Sequence, residues 1–332
     1  MMILLTGGTG FIGSHTAVEL IQSNYDLVIV DNLSNSNIDV INKIQAIVKK
    51  NVTFIEGDIR DKNLISSTIK KYLITTVIHF AGLKSVNEST ENPSLYYDNN
   101  VNGTQALLEA MEENNVRNLI FSSSATVYGS PIYLPIDENH PLKATNPYGQ
   151  NKIDIENMLA DKSKDGKWKV VSLRYFNPIG AHPSGLLGES PKETPNNLFP
   201  YIFKVIKKEI KELPVYGNDY KTIDGTCIRD YIDIIDLAKA HIKAIDFIKV
   251  TNGFHIFNIG TNKGLSVLEI IHLFETVLNI KLNYKFSKRR IGDVESCYAN
   301  AKKANKIFKW IAKTNIENSI INAYKFNLNN KF

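Results

Sequence analysis

Short apolar runs alternate with longer amphipathic stretches through the first half of the chain. The runs are rich in β-branched residues and predict strands: MILLTG, YDLVIVDN, VTFIEGD, TTVIHFAG, RNLIFSSS and WKVVSLRYF. Helical spacing of apolar residues recurs near 12–23, 38–49, 62–72 and 95–114, and a further helix opens at Pro147. Nearly continuous apolar strands that alternate with helices predict an α/β fold, a Rossmann-type doubly wound parallel sheet covered on both faces.

The pattern changes after Asn177. The segment NPIGAHPSGLLGESPKETPNN is rich in Gly and Pro, which predicts a long ordered loop or a domain boundary. Helices mixed with short strands follow it. We therefore expect residues 1–176 to form the Rossmann domain and residues 177–332 a smaller α+β substrate domain, with 224–260 as a candidate segment for return to the first domain.

Composition narrows the class of protein. The 332 residues are 43% hydrophobic and 22% charged, which is typical of globular proteins, and this length predicts about two domains. The net charge of +5 is spread along the chain apart from residues 285–290, so we expect no nucleic-acid partner. Two cysteines do not make a disulfide framework and favour a reducing cytosol. The beginning, MMILLTGGTG, has no basic residue and glycines interrupt its apolar run, so we expect neither signal peptide nor membrane span.

A glycine-rich turn joins the first strand to the first helix. Its glycines satisfy the GxGxxG pattern and are Gly7, Gly8, Gly10 and Gly13. Such a turn lets the backbone approach a pyrophosphate lying on the helix N-terminus. Asp31 ends the next strand, where an acid accepts a hydrogen bond from a ribose 2′-hydroxyl. Asn32 follows and no arginine is adjacent, so the sequence favours NAD over NADP.

Further candidates follow the third and fourth strands. Asp58 and Ile59 lie where they can reach an adenine, although a loop acid at this place is also common without a role. Gly82 and Lys84 follow the fourth strand at the same carboxyl edge, where open α/β sheets bind ligands.

The stretch NPYGQNK carries a second signal. Asn146 is a good N-cap and Pro147 suits the first turn, so Tyr148 and Lys152 share one helix face. An ammonium beside a phenol favours the charged phenolate. The alternative interpretation is a partly buried tyrosine beside a solvated lysine.

With FSSSATVYGSP at 121–131 added, the chain resembles the extended short-chain dehydrogenases/reductases. The segments DNLSNS, AGLKSVNES, YYDNNVNGT, RYFNPIGAHPSG, TPNNLFPYI, VYGNDYKTIDGTCIRDYIDIIDLA and RRIGDVESCYA narrow the resemblance to the UDP-glucose 4-epimerase family. It covers nearly the whole chain in the expected order.

The resemblance implies the chemistry. Tyr148 is then the catalytic base, Lys152 lowers its pKa and holds the nicotinamide ribose, and Ser124 hydrogen-bonds the sugar 4-hydroxyl. NAD takes the C4 hydride, the 4-keto sugar turns over, and the hydride returns to the opposite face. Bringing a phenol pKa from about 10 to near 7 needs roughly 4 kcal/mol, for which Lys152 and the positive nicotinamide ring are the sources.

The resemblance also implies two sets of binding residues and no metal. The cofactor set is Gly7, Gly10, Phe11, Ile12, Gly13, Asp31, Asn32, Asn35, Ser36, Asp58, Ile59, Phe80, Ala81, Gly82, Lys84, Asn99, Ser122, Tyr148, Lys152 and Tyr175. The UDP-sugar set is Lys84, Ser124, Tyr148, Asn177, Asn197, Leu198, Tyr216, Arg229, Arg290, Asp293 and Cys297. Within it the asparagines, arginines and Leu198 contact the nucleotide and diphosphate, Asp293 the uridine ribose, and Tyr216 the uracil.

Three further expectations rest on the resemblance. Cys297 lies where relatives carry either Tyr or a smaller residue beside the sugar 2-position, so it predicts acceptance of UDP-GlcNAc and UDP-GalNAc as well. Asp233 departs from the family, which often has His there, and no function is attached to either. Family members are often homodimers joined by the helices near 95–114 and 148–160.

Sister enzymes are the main alternatives. Sugar-nucleotide 4,6-dehydratases carry an Asp–Glu pair where this chain has Ala125 and Thr126, and UDP-glucuronate decarboxylases want Glu at Thr126. A UDP-glucuronate 4-epimerase is a further alternative. A non-catalytic NAD-sensing regulator usually loses the Tyr or the Lys, and this chain keeps both.

Overall fold

The computed structural model describes residues 1–191, 197–290 and 292–330. Its central feature is one parallel sheet. The strands of this sheet are β1 (Met2–Thr6), β2 (Asp26–Asp31), β3 (Thr53–Glu56), β4 (Thr76–His79), β5 (Asn118–Ser124), β6 (Lys169–Tyr175) and β11 (Gly253–Ile259). Their order across the sheet is β11-β6-β5-β4-β1-β2-β3, and every neighbouring pair is parallel. The predicted doubly wound sheet is confirmed.

Helices cover both faces of this sheet. The helices in the described part of the chain are α1 (Phe11–Gln22), α2 (Asp39–Val48), α3 (Lys62–Tyr72), α4 (Val86–Glu91), α5 (Pro93–Tyr96), α6 (Gly103–Glu113), α7 (Pro147–Lys162), α8 (Leu198–Ile206), α9 (Ile234–Ile248), α10 (Val267–Leu278), α11 (Lys302–Phe308) and α12 (Ile316–Asn329). Of these, α8, α10 and α12 pack in a separate apolar cluster and not on the sheet. In β1, Ile3 and Leu5 pack with α1, α2 and α9, whereas Leu4 packs with α3, α6 and α7. This alternation explains why the strands are apolar throughout, since neither face meets water.

The second half adds short strands around a separate apolar cluster. They are β7 (Asn177–Ile179), β8 (Leu213–Tyr216), β9 (Ile228–Arg229), β10 (Tyr231–Asp233), β12 (Leu265–Ser266), β13 (Tyr284–Ser287) and β14 (Ser296–Cys297). Phe199, Phe203 and Phe274 form the aromatic centre of this cluster, with ring centroids 4.8 and 5.5 Å apart. The segment predicted as a long loop after Asn177 begins with β7, which pairs with β10.

Within the 224–260 segment, both α9 and β11 belong to the large sheet layer. Helix α9 packs on α1, and β11 pairs with β6 along its whole length. Asp233, the departure from the family, caps α9: its carboxylate accepts from Ile235 N at 2.8 Å and from Ser319 Oγ at 2.6 Å. The domain boundary at residue 176 stays a prediction.

No helix in the described part of the chain is long and apolar enough to cross a bilayer.

Candidate active site

The start of α7 places the tyrosine and lysine as the sequence predicts. The Asn146 side chain accepts from Gly149 N at 2.8 Å and Pro147 occupies the first turn. Lys152 Nζ lies 5.6 Å from the centre of the Tyr148 ring and donates to the Ser122 carbonyl oxygen at 2.7 Å. The lysine is buried, so the interpretation of a solvated lysine is wrong.

The environment sets the protonation of the pair. Burial raises the pKa of Tyr148 to about 12, and a hydrogen bond with Ser124 acts in the opposite direction. Burial lowers the pKa of Lys152 to about 8, and the Glu156 carboxylate opposes this change. The ammonium therefore persists at neutral pH, whereas these side chains alone do not bring the Tyr148 pKa near 7.

Ser124 ends β5 with its hydroxyl held in one orientation. Its oxygen accepts from Thr126 N at 3.2 Å and from Thr126 Oγ1 at 2.9 Å. Both acceptor sites are thus occupied, and the Ser124 proton points elsewhere, to the Tyr148 oxygen or to a substrate oxygen. Thr126 thus orients this serine, at a position where the resemblance predicts an acid in the sister enzymes.

The glycine turn is packed too tightly for other residues at Gly7 and Gly13. A Cβ on Gly7, where φ is +70°, would lie 2.5 Å from Ala81 N, and one on Gly13 would lie 2.4 Å from Gly7 O. Helix α1 begins after Gly10 with no side chain capping it, so its first N–H groups, including those of Phe11 and Ile12, are available to an anion. This arrangement fits a pyrophosphate.

The ends of β2 and β3 supply carboxylates beside that turn. Asp31 accepts from Thr9 N at 3.1 Å, Leu33 N at 2.9 Å and Ser36 Oγ at 3.2 Å, which orients it at the carboxyl edge. Asp58 accepts from Asn32 Nδ2 at 3.0 Å. Hydrogen bonds from Arg60 hold the pKa of Asp58 at about 2. Two carboxyl groups at this place fit a ribose diol and oppose a 2′-phosphate, which favours NAD. Asn35 is exposed nearby, and Ile59 is buried.

Asn100 is a residue that the sequence reasoning missed. Its Oδ1 accepts from Leu83 N at 2.8 Å and its Nδ2 donates to Leu83 O at 3.0 Å, so it clamps the loop that carries Ala81, Gly82 and Lys84. It lies with Asn99 in a π-helical turn, Tyr97–Asn102, that interrupts the helix predicted at 95–114. Such turns occur frequently at functional sites. The paired asparagines in YYDNNVNGT were the only signal for it.

Tyr175 ends β6, and its hydroxyl ties this strand to α9. Its hydroxyl lies 2.5 Å from His241 Nε2, and His241 Nδ1 lies 3.0 Å from the Leu237 carbonyl oxygen. Because the carbonyl only accepts, Nδ1 carries the histidine proton and Tyr175 donates to Nε2. Phe80 packs on the same imidazole, with ring centroids 4.9 Å apart.

A cavity of about 330 Å³ opens in front of Ser124 and Tyr175. The structure brings the predicted UDP-sugar residues together in its wall, apart from Tyr148: Lys84, Ser124, Asn177, Asn197, Leu198, Tyr216, Arg229, Arg290, Asp293 and Cys297. Arg290 Nε lies 2.9 Å from Asp293 Oδ2 and its guanidinium 4.9 Å from the centre of the Tyr216 ring. Arg229 Nη2 lies 3.5 Å from Asp293 Oδ1. Paired guanidinium groups suit a diphosphate.

Glu189 also lines this cavity and was not predicted. Its Oε1 accepts from Asn197 Nδ2 at 2.8 Å and lies 3.3 Å from Lys84 Nζ. It therefore joins a residue of the dinucleotide edge to one of the nucleotide-sugar wall. Its place in the Gly- and Pro-rich segment gave no periodic signal. Among the described residues no group of acids, histidines and cysteines could hold a metal ion.

The fold, the glycine turn and the Tyr148–Lys152 pair together define an extended short-chain dehydrogenase/reductase. The profile of the family described as GDP-mannose 4,6 dehydratase matches residues 4–322. A UDP-glucose 4-epimerase of Bacillus subtilis (strain 168) is 47% identical over 331 residues, which cover 99% of this chain and 98% of the relative.

Solved structures of UDP-glucose 4-epimerases are similar to this chain over nearly its whole length. The UDP-glucose 4-epimerase of Bifidobacterium longum in complex with NAD+ and UDP has a TM-score of 0.96 and 46% identity, with 99% of each chain covered. That of Stenotrophomonas maltophila with bound NAD and formylated UDP-arabinopyranose has a TM-score of 0.97 and 41% identity, over 99% of this chain and 98% of that one. The chain belongs to the UDP-glucose 4-epimerase family.

Proposed function

We propose that this chain is an NAD-dependent isomerase that interconverts UDP-glucose and UDP-galactose by inversion at C4. The observation that carries the proposal is the position of Ser124. It ends the strand beside the Tyr148–Lys152 pair and also lines the cavity that holds Arg229 and Arg290. A sugar hydroxyl at Ser124 is therefore next to a phenol, while its diphosphate lies within reach of two guanidinium groups.

The chain's own residues handle the proton. Tyr148 removes it from the 4-hydroxyl and returns it, and Ser124 donates a hydrogen bond to the same oxygen. Lys152, fixed by the Ser122 carbonyl, favours the phenolate by its charge. NAD, when bound across the glycine turn and Asp31, supplies the hydride acceptor and a positive ring that stabilises the phenolate further. Since the hydride returns each cycle, the cofactor is retained.

Different residues of the cavity wall bind different parts of the substrate. Arg229 and Arg290 bind the diphosphate together with Asn177, and Asn197 and Leu198 hold the nucleotide. Asp293 lies between the two arginines, 3.5 Å from Arg229 and 2.9 Å from Arg290, which leaves it oriented for a ribose hydroxyl.

Incubation of the pure protein with UDP-galactose, without added dinucleotide, tests this function. Separation of the product sugars is expected to show UDP-glucose, and denaturation of the protein is expected to release NAD. Absence of UDP-glucose would contradict the function, and release of NADP or of no dinucleotide would contradict the cofactor assignment.

The substrate range extends to N-acetylated sugars in our proposal, because Cys297 lines the cavity. It is buried in β14 opposite Arg229, and burial raises the pKa of its thiol to about 11, so it is a small neutral group. The UDP-Glc/GlcNAc 4-epimerase from Campylobacter jejuni has a similar structure, with 32% sequence identity and a TM-score of 0.85. Cys297→Tyr should abolish turnover of UDP-GlcNAc and spare UDP-glucose, whereas the matched Cys297→Ser should keep both. A wild type that turns over only the plain sugars contradicts this extension.

We also propose a cytoplasmic homodimer joined through α5, α6 and α7. The apolar side chains of Leu95 and Tyr97 on this surface are 47% and 49% exposed, which supports the dimer. Both cysteines are unpaired, which supports a reducing compartment. Light scattering should give twice 37.4 kDa. Leu95→Glu combined with Tyr97→Glu should give monomers, whereas Leu73→Glu, at an exposed site on α3's end, should not.

A further inference from the structure

A buried polar cluster connects α7 to β5, β6 and β11 behind the catalytic pair. We call it the Glu156 cluster, and its members are Ser123, Tyr128, Glu156, Ser172, Arg174 and Asn258. None is more than 3% exposed. Glu156 Oε1 accepts from Ser123 Oγ at 2.7 Å, Ser172 Oγ at 2.8 Å and Arg174 Nε at 3.0 Å, and Oε2 accepts from Arg174 Nη2 at 2.5 Å.

The Arg174 guanidinium also has a hydrogen-bond partner beyond Glu156. Arg174 Nη1 donates to Tyr128 Oη at 2.9 Å, and Tyr128 Oη donates to Asn258 Oδ1 at 2.6 Å. A buried ion pair of this kind is weak evidence for stability, because well-packed apolar residues of similar volume often serve the fold as well or better. Stability alone therefore does not account for this ion pair, and its place behind the catalytic residues points to a role in the site.

The position of the cluster indicates that role. Glu156 follows Lys152 by one turn of α7 and shares its face. Ser123 lies between Ser122, whose carbonyl oxygen accepts from Lys152, and Ser124, whose hydroxyl faces Tyr148. The hydrogen bond from Ser123 to Glu156 therefore fixes the end of β5 against α7. This is the place where Lys152 contacts the Ser122 carbonyl and Ser124 faces Tyr148.

We infer that Glu156, held by Arg174, is a positioning residue that sets the distances of Ser124 and the Ser122 carbonyl from Tyr148 and Lys152 through Ser123. The inference rests on the proposed function, since it concerns the same reaction. Charge is the smaller part of the effect, because the Arg174 guanidinium offsets the Glu156 carboxylate. The other titratable groups that interact with Lys152 are Tyr148 on α7 and His79 on β4.

Two serines of the cluster provide a matched test. Ser123 and Ser172 donate equivalent hydrogen bonds to the same carboxylate oxygen and are equally buried, but Ser172 lies in β6, opposite Phe121 of β5, and is not a chain neighbour of Ser122 or Ser124. Ser123→Ala is expected to lower kcat for UDP-galactose at least five-fold more than Ser172→Ala does. KM and bound NAD should stay within two-fold of wild type in both variants.

Glu156→Asp is the second variant, because it keeps the charge pair and shortens the link to β5. Glu156→Asp is expected to lower kcat about ten-fold, with bound NAD unchanged. It also tests the positioning role of Glu156 if Ser123→Ala does not fold. Equal loss of kcat in the two serine variants, or wild-type kcat in Glu156→Asp, would overturn the inference. A wild-type protein without turnover overturns the proposed function instead, and the inference with it.

Discussion

Lys152 lies one helical turn after Tyr148, with its ammonium nitrogen 5.6 Å from the centre of the phenol ring and 2.7 Å from the Ser122 carbonyl oxygen. The lysine is thus anchored to β5, and its charge is held beside the phenol without a carboxylate as direct partner in this contact. The two residues have different tasks, proton transfer for Tyr148 and electrostatic support for Lys152, and these tasks can be separated by substitution.

Removal of the phenolic hydroxyl tests the first task. Tyr148→Phe should keep the fold and the bound NAD and lower kcat about 10²- to 10⁴-fold, because only a proton-transfer group is lost. Stopped assays with UDP-galactose, together with the dinucleotide content of the variant, measure this. Near-normal rates would remove Tyr148 from the mechanism.

Removal of the ammonium tests the second task. Lys152→Met should lower activity and move the pH optimum upward, because the Tyr148 phenolate then forms only at higher pH. Lys162→Met is a matched control on the same helix, where the lysine pairs with Glu112 at the surface. An unchanged pH optimum in the Lys152 variant would show that its charge does not set the protonation of Tyr148.

Alanine substitutions in the glycine turn should differ in their effects, depending on how closely each glycine is packed. A Cβ on Gly13 would lie 2.4 Å from Gly7 O, whereas one on Gly10 would lie 3.3 Å from the same atom. Gly13→Ala should therefore lower both the bound NAD and the unfolding temperature far more than Gly10→Ala. Equal dinucleotide content in the two variants would contradict the tight packing of this turn.

Much of this site was predictable because its signals are local in sequence. The strand–helix alternation, the turn from Gly7 to Gly13 and the cap at Asn146 each lie within a few consecutive residues, and the structure has them as predicted. The Glu156–Arg174 pair and the Asn100 clamp join residues 17 or 18 positions apart whose types are ordinary on a surface. Only the packing of α7 on β6, and of the π-helical turn on the loop after β4, brings these groups together.

Buried histidines predict how stability depends on pH. Burial lowers the pKa of His15 and His241 to about 4 and that of His79 to about 3. Their folded-state pKa values lie below the unfolded value of about 6.5, so the stability they confer is present above pH 6.5 and lost as pH falls below it. Well below pH 6.5, where the unfolded histidine is almost fully protonated, each histidine should remove about 1.4 kcal/mol of unfolding free energy per pH unit.

Urea titrations between pH 6.5 and 5 measure this slope. His79→Gln should lower it by about 1 kcal/mol per pH unit, whereas His272→Gln, at an exposed position on α10, should leave it unchanged. The same slope in both variants would contradict the assignment of His79 as a buried neutral group.

The return of the hydride to the carbon that gave it is the central claim, and isotope retention tests it most directly. UDP-galactose carrying deuterium at C4 is incubated with the pure protein in ordinary water, and the UDP-glucose formed is analysed by mass spectrometry and proton NMR. We expect the product to keep its deuterium at C4 in the inverted configuration. Loss of the label to water would contradict it.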